Sequence, residues 1–297
     1  MNVFLTKEGD QLPGDLLLEW INRSDLAPVP RTLEFVVRLK GDLEDRLAVG
    51  ASVWTGWEHL QYTIVKRERA RPTGAIQGDE AQQAVRLTAL LDSCKSIAEP
   101  RQRAVIAQNS SLGGLYRACG ANVSILNDFP VSRFACLVGD IPSKAIAVAL
   151  QEEGAALVLR DGRLSIERLR NLMSQTPADT ISQHDSTAAH DSALIERQEI
   201  PMCFSLDSMG NVVVGDFNTT RNARFIPGKD ARTLHNLSHV LVTRQIADSQ
   251  LAQQILAGDI VTVGQRNLLV ITAAHRFKQR DGITDTTSRF WLGEVSK

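Results

Sequence analysis

No Cys-x-x-Cys pair occurs in this chain. Its four cysteines, Cys94, Cys119, Cys136 and Cys203, stand far apart. That spacing predicts free, mostly buried thiols in a reducing compartment. Neither sign of charge dominates: 33 Lys and Arg face 34 Asp and Glu, a formal net charge of −1. A generic nucleic-acid binder usually carries a basic excess, so that class loses weight. No uninterrupted apolar run reaches the roughly 18 residues that suggest a membrane span. Met1 to Asp10 lacks the basic start and apolar core of a signal peptide, so neither a membrane segment nor export is expected. Catalytic signatures are missing as well. There is no G-x-S-x-G turn to expose a nucleophile. The run Ser111-Leu112-Gly113-Gly114 lacks the lysine and the glycine spacing of a phosphate loop. No repeat of fixed short period is present.

What is present is strand pattern, interrupted once. The 297 residues are 43% hydrophobic, enough for two or three domains with real cores. Arg103 to Arg170 is the interruption. A first helix is predicted from Ser110 or Ser111, either of which can cap it. Leu112, Leu115, Tyr116 and Cys119 recur at helical spacing, and Gly120 stops the pattern. Arg133 to Gly139 reads as a strand. Asp140 is the expected cap of a second helix with Pro142 in its first turn. Ile141, Ala145, Val148 and Ala149 form its expected apolar face, widened by Ile146 and Leu150, and Gly154 ends it. Ala156 to Leu159 and Leu164 to Ile166 flank Asp161-Gly162, a strong short hairpin signal.

The remainder reads as β. Thr32 to Leu39 alternates, Leu60 to Lys66 is strand-like, and Leu47, Val49, Val53 and Trp54 suggest a strand pair. Gln83 to Leu91 reads as strand, with Asp92 to Glu99 as its continuation. Met173 to Asp191 is poor in large apolar residues and reads as a linker. Met202 to Leu206 and Asn211 to Gly215 suggest a hairpin over Asp207 to Gly210. Ser249 to Leu256 suits a short helix or strand. Leu268 to Arg276 and Thr284 to Val295 suggest a pair turning at Asp281-Gly282. The expected fold is α+β, mostly β: two β-barrel-like domains with a small two-helix α/β insert. The boundaries are 1–100 for the first barrel-like domain, 101–172 for the insert, 173–190 for a linker or exposed loop, and 191–297 for the second.

Candidate chemistry is thin. His235 and His239 stand four apart, one helical turn, so both can face one metal. The metalloprotease motif needs Glu after the first His, and Asn236 occupies that place. His184 and His190 lie in the linker-like stretch, and His275 lies in a strand, where a hydrogen-bonded structural role is expected. Glu152 and Glu153 are adjacent, and helical neighbours point about 100° apart, so they do not share a proton. Arg67 to Arg71 is a charge run without aromatic interleaving, read as a solvated strand end. Trp54 and Trp57 suit core or edge packing, or an aromatic platform. No catalytic, cofactor or metal residue is assigned. Two alternatives remain: a small metal-dependent hydrolase using His235 and His239, and a DNA-contacting module through Arg67 to Arg71.

Three stretches carry a resemblance: GDIPSKAIAVALQEEGAALVLRDGRLSIERL, NSSLGGLYRACGANV, and LLVITAAHRFKQRDGITDTTSRFWLGEV. With the order β, α/β insert, β, they resemble the baseplate and tail hub proteins of contractile-tailed phages. These include the Mu-like hub, the late control D protein and the base of type VI secretion spikes. The chain looks short for that family. The resemblance implies a non-enzymatic homotrimer without cofactors. Two similar β-barrel domains per subunit would give a pseudo-sixfold ring between a sixfold tail tube protein and a threefold central spike protein. It also implies other baseplate proteins as partners, DNA only as passing through the lumen, and a place in the virion tail after assembly in the host cytoplasm.

Overall fold

The computed structural model describes all residues except 1, 8, 57, 71–82, 183–184, 189–199, 281–282 and 297. In chain order the strands are β1 (Val3–Phe4), β2 (Leu17–Asp25), β3 (Arg31–Arg38), β4 (Ser52–Thr55), β5 (Gln61–Ala70), β6 (Ala84–Leu91), β7 (Val105–Ser111), β8 (Ile125–Leu126), β9 (Pro130–Cys136) and β10 (Ala155–Arg160). They continue with β11 (Arg163–Arg168), β12 (Asp179–Ile181), β13 (Ser186–Ala188), β14 (Met202–Leu206), β15 (Val212–Val214), β16 (Ala223–Phe225), β17 (Leu241–Gln250), β18 (Ile260–Val263), β19 (Arg266–Arg280) and β20 (Ile283–Val295). The helices are α1 (Leu43–Arg46), α2 (Leu112–Ala118), α3 (Pro142–Glu152), α4 (Leu169–Met173) and α5 (Ala231–Ser238). The molecule is mostly β, as the alternation predicts.

Both β-rich parts belong to one twelve-stranded sheet. Its order is β1-β4-β5-β6-β3-β2-β19-β20-β17-β13, with β18 on β19 and β12 on β18. Among the described residues the hydrogen-bonded path runs from β1 to β13 without closing, and the two parts meet where β2 runs antiparallel to β19, from Asp25 opposite Thr272 to Glu19 opposite Lys278. Alternate residues bury one face: Leu33, Phe35 and Val37 on β3, and Val85, Leu87, Ala89 and Leu91 on β6. Three small sheets accompany it: β10-β11-β8, β15-β14-β16 and the pair β7-β9.

The α/β insert has no core of its own. Leu112, Tyr116, Leu157 and Leu164 share one apolar cluster with Leu33, Phe35 and Tyr62. The hydroxyl of Tyr116 donates to the carbonyl of Pro28, 3.1 Å away, tying α2 to the first β part. The expected details of the insert hold at both its helix start and its turn. The Ser111 hydroxyl accepts from the amide of Gly114 as the cap of α2. Asp161 and Gly162 both have positive φ, 50° and 71°, and Arg160 pairs with Arg163 across them. That is the primed two-residue turn that matches strand twist.

Several expectations fail. Asp140 does not cap α3: Ile141 holds that place with no side-chain bond, and Asp140 accepts instead from the amide of Leu137. The buried face of α3 is Pro142, Ile146, Ala149 and Leu150, while Val148 is exposed. Asp92 to Ala98 is a 3-10 helix and not a continuing strand. Leu47 follows the short helix α1 and is not in a strand. The stretch 173–190 holds β12, parallel to β18, and β13, antiparallel to β17. Beyond Gln250, residues 251–256 hold a turn at 253–254 and neither helix nor strand. Strands β19 and β20 pair up to Arg280 opposite Ile283. Asp281 and Gly282, the expected turn, lie outside the described residues.

Candidate functional site

Helix α5 begins at Asp230, whose carboxylate accepts from the amide of Thr233 at 2.9 Å. Hydrogen bonds from Thr233 hold that carboxyl below its ordinary range. One turn before the helix ends stands His235, and His239 follows just beyond the end. The i, i+4 spacing places both rings on one side, stacked with centroids 4.1 Å apart and planes 29° apart.

A third residue joins them from the loop after β15. A Cβ at Gly215 would collide with the backbone of Leu234 and His235. The loop therefore lies directly on the helix, which only glycine permits here. Its next residue, Asp216, brings Oδ2 to 2.7 Å from Nδ1 of His235 and 3.1 Å from Nδ1 of His239. That oxygen is buried, yet no hydrogen bond of good geometry reaches it. Ion-pair distance is met, but neither imidazole directs an N–H at the carboxylate. Nδ1 of His239 also lies 2.8 Å from the carbonyl of His235. One ligand atom from each of the three residues lies within 4.8 Å of the others. Sequence alone missed Asp216, which stands 19 residues before His235; Gly215 immediately before it was the only local sign of close approach.

The two rings open onto a cavity of about 630 Å³ lined by Glu153, Arg168, Arg232 and Asn236 among others. Two of its arginines share one carboxylate. Glu153 meets Arg232 through both carboxylate oxygens, at 2.7 and 2.9 Å, and Arg168 at 2.9 Å. Burial alone would raise the Glu153 carboxyl, but hydrogen bonds from Arg232 and Arg168 bring it below its ordinary value. Glu152 pairs instead with Lys229, so the adjacent glutamates do not share a proton.

The other sequence candidates resolve individually. His275 is buried in β19. Its Nε2 lies 3.1 Å from the carbonyl of Ile255, which only accepts, so Nε2 carries the hydrogen and Nδ1 accepts from the Ser288 hydroxyl at 2.9 Å. Burial, with the charge of Arg31 added, pushes this histidine down to about 4. At the start of α2, Asp128 accepts from the amide of Gly113, where a phosphate would sit on a phosphate loop. Within the charge run, Arg67 pairs with Glu44 and Lys66 with Glu68, while Arg71 lies outside the described residues. Trp54 is half-buried on β4; Trp57, His184 and His190 lie outside the described residues. All four cysteines are free and buried, and burial raises the thiols of Cys94 and Cys119 to about 11. No described helix is long and apolar enough to cross a membrane.

No family model and no curated protein matches the sequence. Solved structures do match the fold. The tail protein from Neisseria meningitidis is 12% identical with a TM-score of 0.63, over 99% of this chain and 95% of that one. The 43 kDa tail protein of prophage MuSo2 from Shewanella oneidensis is 13% identical with a TM-score of 0.64, over 96% of each chain. This is the fold of phage tail proteins. An Escherichia coli component of the type VI secretion system has it too, at 9% identity and a TM-score of 0.55, over 95% of this chain and 74% of that one. That component is described as structurally similar to bacteriophage T4 tail proteins. On this tail-protein fold the small sheet β15-β14-β16 stands out. It and its loops expose Met209, Val212, Phe217 and Phe225, with Phe217 78% accessible. Single exposed apolar residues are ordinary, whereas several on one small sheet suit a contact surface.

Proposed function

We propose that this chain is a structural baseplate hub of a phage tail or a related injection machine. Three copies form a ring with a pseudo-sixfold outline and join a sixfold tail tube to a threefold central spike. The observation that carries the reading is the end-to-end correspondence of fold with phage tail proteins, over 99% and 96% of this chain. The likeness to a type VI secretion component supports the spike side of the assignment. Residues 1–100 and 191–297 supply the ring, 101–172 pack outside it, and 173–190 add β12 and β13 to the same sheet. The role is non-enzymatic, the protein resides in the virion tail after assembly in the host cytoplasm, and its partners are tube, spike and other baseplate proteins. DNA meets it only as a passenger in the lumen.

The outer strands β1 and β13 are two and three residues long, and β1 is backed by the Phe4–Gln11 bridge, so the sheet is protected against open-ended edge pairing. Closed rotational symmetry likewise gives an assembly without limitless growth. Imaging of assembled particles tests the reading. Three copies around the axis, between tube and spike, are expected. Six copies in a plain sixfold ring, or one copy on the axis, would overturn it. Free chain can remain monomeric, because ring formation depends on concentration and partners.

A further inference from the structure

Asp216, His235 and His239 form a cluster that a structural scaffold does not require. The two imidazoles are stacked 4.1 Å apart, where two positive charges would repel. Between them lies a buried carboxylate oxygen that receives no well-directed hydrogen bond. Its 2.7 Å separation from Nδ1 of His235 approaches the edge of a zinc coordination tetrahedron. With metal–ligand bonds of about 2.0–2.1 Å, neighbouring ligand atoms in such a site stand about 3.3 Å apart. A cation between the three groups would relieve both the orphaned oxygen and the crowded rings.

The supporting shell fits as well. A hydrogen bond from Nδ1 of His239 to the carbonyl of His235 leaves Nε2 of His239 as a bare acceptor. Metal-binding histidines commonly fix their tautomer in this way. Asp230 caps the helix that carries His235, and Gly215 holds the loop that carries Asp216 against it. Of the arginines facing the same cavity, Arg168 and Arg232 are both held by the Glu153 carboxylate.

We propose that Asp216, His235 and His239 bind one divalent transition metal of the zinc class, which fastens the loop after β15 to α5. Two nitrogens and one oxygen suit such an ion better than calcium or magnesium, which prefer all-oxygen shells. The remaining position faces the cavity and takes water or a group from a partner. This inference stands apart from the hub assignment and survives its failure.

The test uses the purified full chain, stripped with a chelator and titrated with Zn²⁺ by calorimetry and with Co²⁺ by visible absorption. One ion per chain is expected, with a Co²⁺ spectrum free of thiolate charge-transfer bands. Asp216→Asn and His239→Ala, checked for folding by circular dichroism, are expected to weaken binding about tenfold or more, at least the cost of losing an outer-shell partner. His59→Ala, outside the cluster, is expected to leave it unchanged. Amide exchange in 212–220 is expected to slow when Zn²⁺ is added. Absence of binding at micromolar metal overturns the proposal, as does binding indifferent to Asp216 and His239. A thiolate signature does the same by moving the site to the cysteines, and unchanged exchange removes the fastening role.

Discussion

His275 shows how one residue converts burial into pH dependence. In the folded chain it stays neutral down to about pH 4, because its ring is buried and Arg31 lies near. In the unfolded chain it titrates near 6.5. Between those values the unfolded state binds more protons, so stability falls as the pH drops through that window. Above it the residue contributes no pH dependence. Going from pH 7 to pH 5 is expected to cost about 2 kcal/mol from this one group. Thermal unfolding across pH 4 to 8 checks it: His275→Gln should lose this slope, and a wild-type profile flat between 6.5 and 5 contradicts the account. The role was legible at the residue level, since a histidine between apolar strand neighbours needs hydrogen-bond partners. Asp216 was not, because nothing in VVVGDFN says which helix the loop will lie upon.

At the scale of the element, legibility follows the range of the determining contacts. The hairpin β10–β11 is set by Asp161-Gly162 and its immediate neighbours, and it was visible in the sequence. Gly162 stands at φ 71° with almost nothing near its missing side chain, so the constraint is backbone geometry and not space. Gly162→Val forces a β-branched residue into the left-handed region and is expected to cost about 1–2 kcal/mol. Urea denaturation measures this, and an unchanged midpoint would count against a tight turn. Strands β12 and β13 were invisible for the opposite reason. Each has three residues, too few for periodicity, and each exists because β18 or β17 offers an edge far along the chain. Asp92 to Ala98 misled similarly: Cys94 and Ile97 are buried three apart, a 3-10 spacing that is too short to stand out from strand alternation.

For the whole molecule, the order β, α/β, β could be read, while the union of both β-rich parts in a single sheet could not. The join between β2 and β19 rests on partners such as Asp25 and Thr272, whose side chains hydrogen-bond across 247 residues of sequence. That join sets a clock for the newborn polypeptide. At synthesis rates of about 5–20 residues per second, β2 waits roughly 12–50 s after emerging before its neighbour leaves the ribosome. During the wait β2 presents an unpaired edge, and the core beneath Leu17 and Trp20 is open on that side. Such distant pairings also slow closure after release. A chain arrested at residue 240 is expected to be digested within its first hundred residues by a protease that spares the full-length protein. A resistant amino-terminal fragment would instead mean that the first third matures before its sheet partner exists.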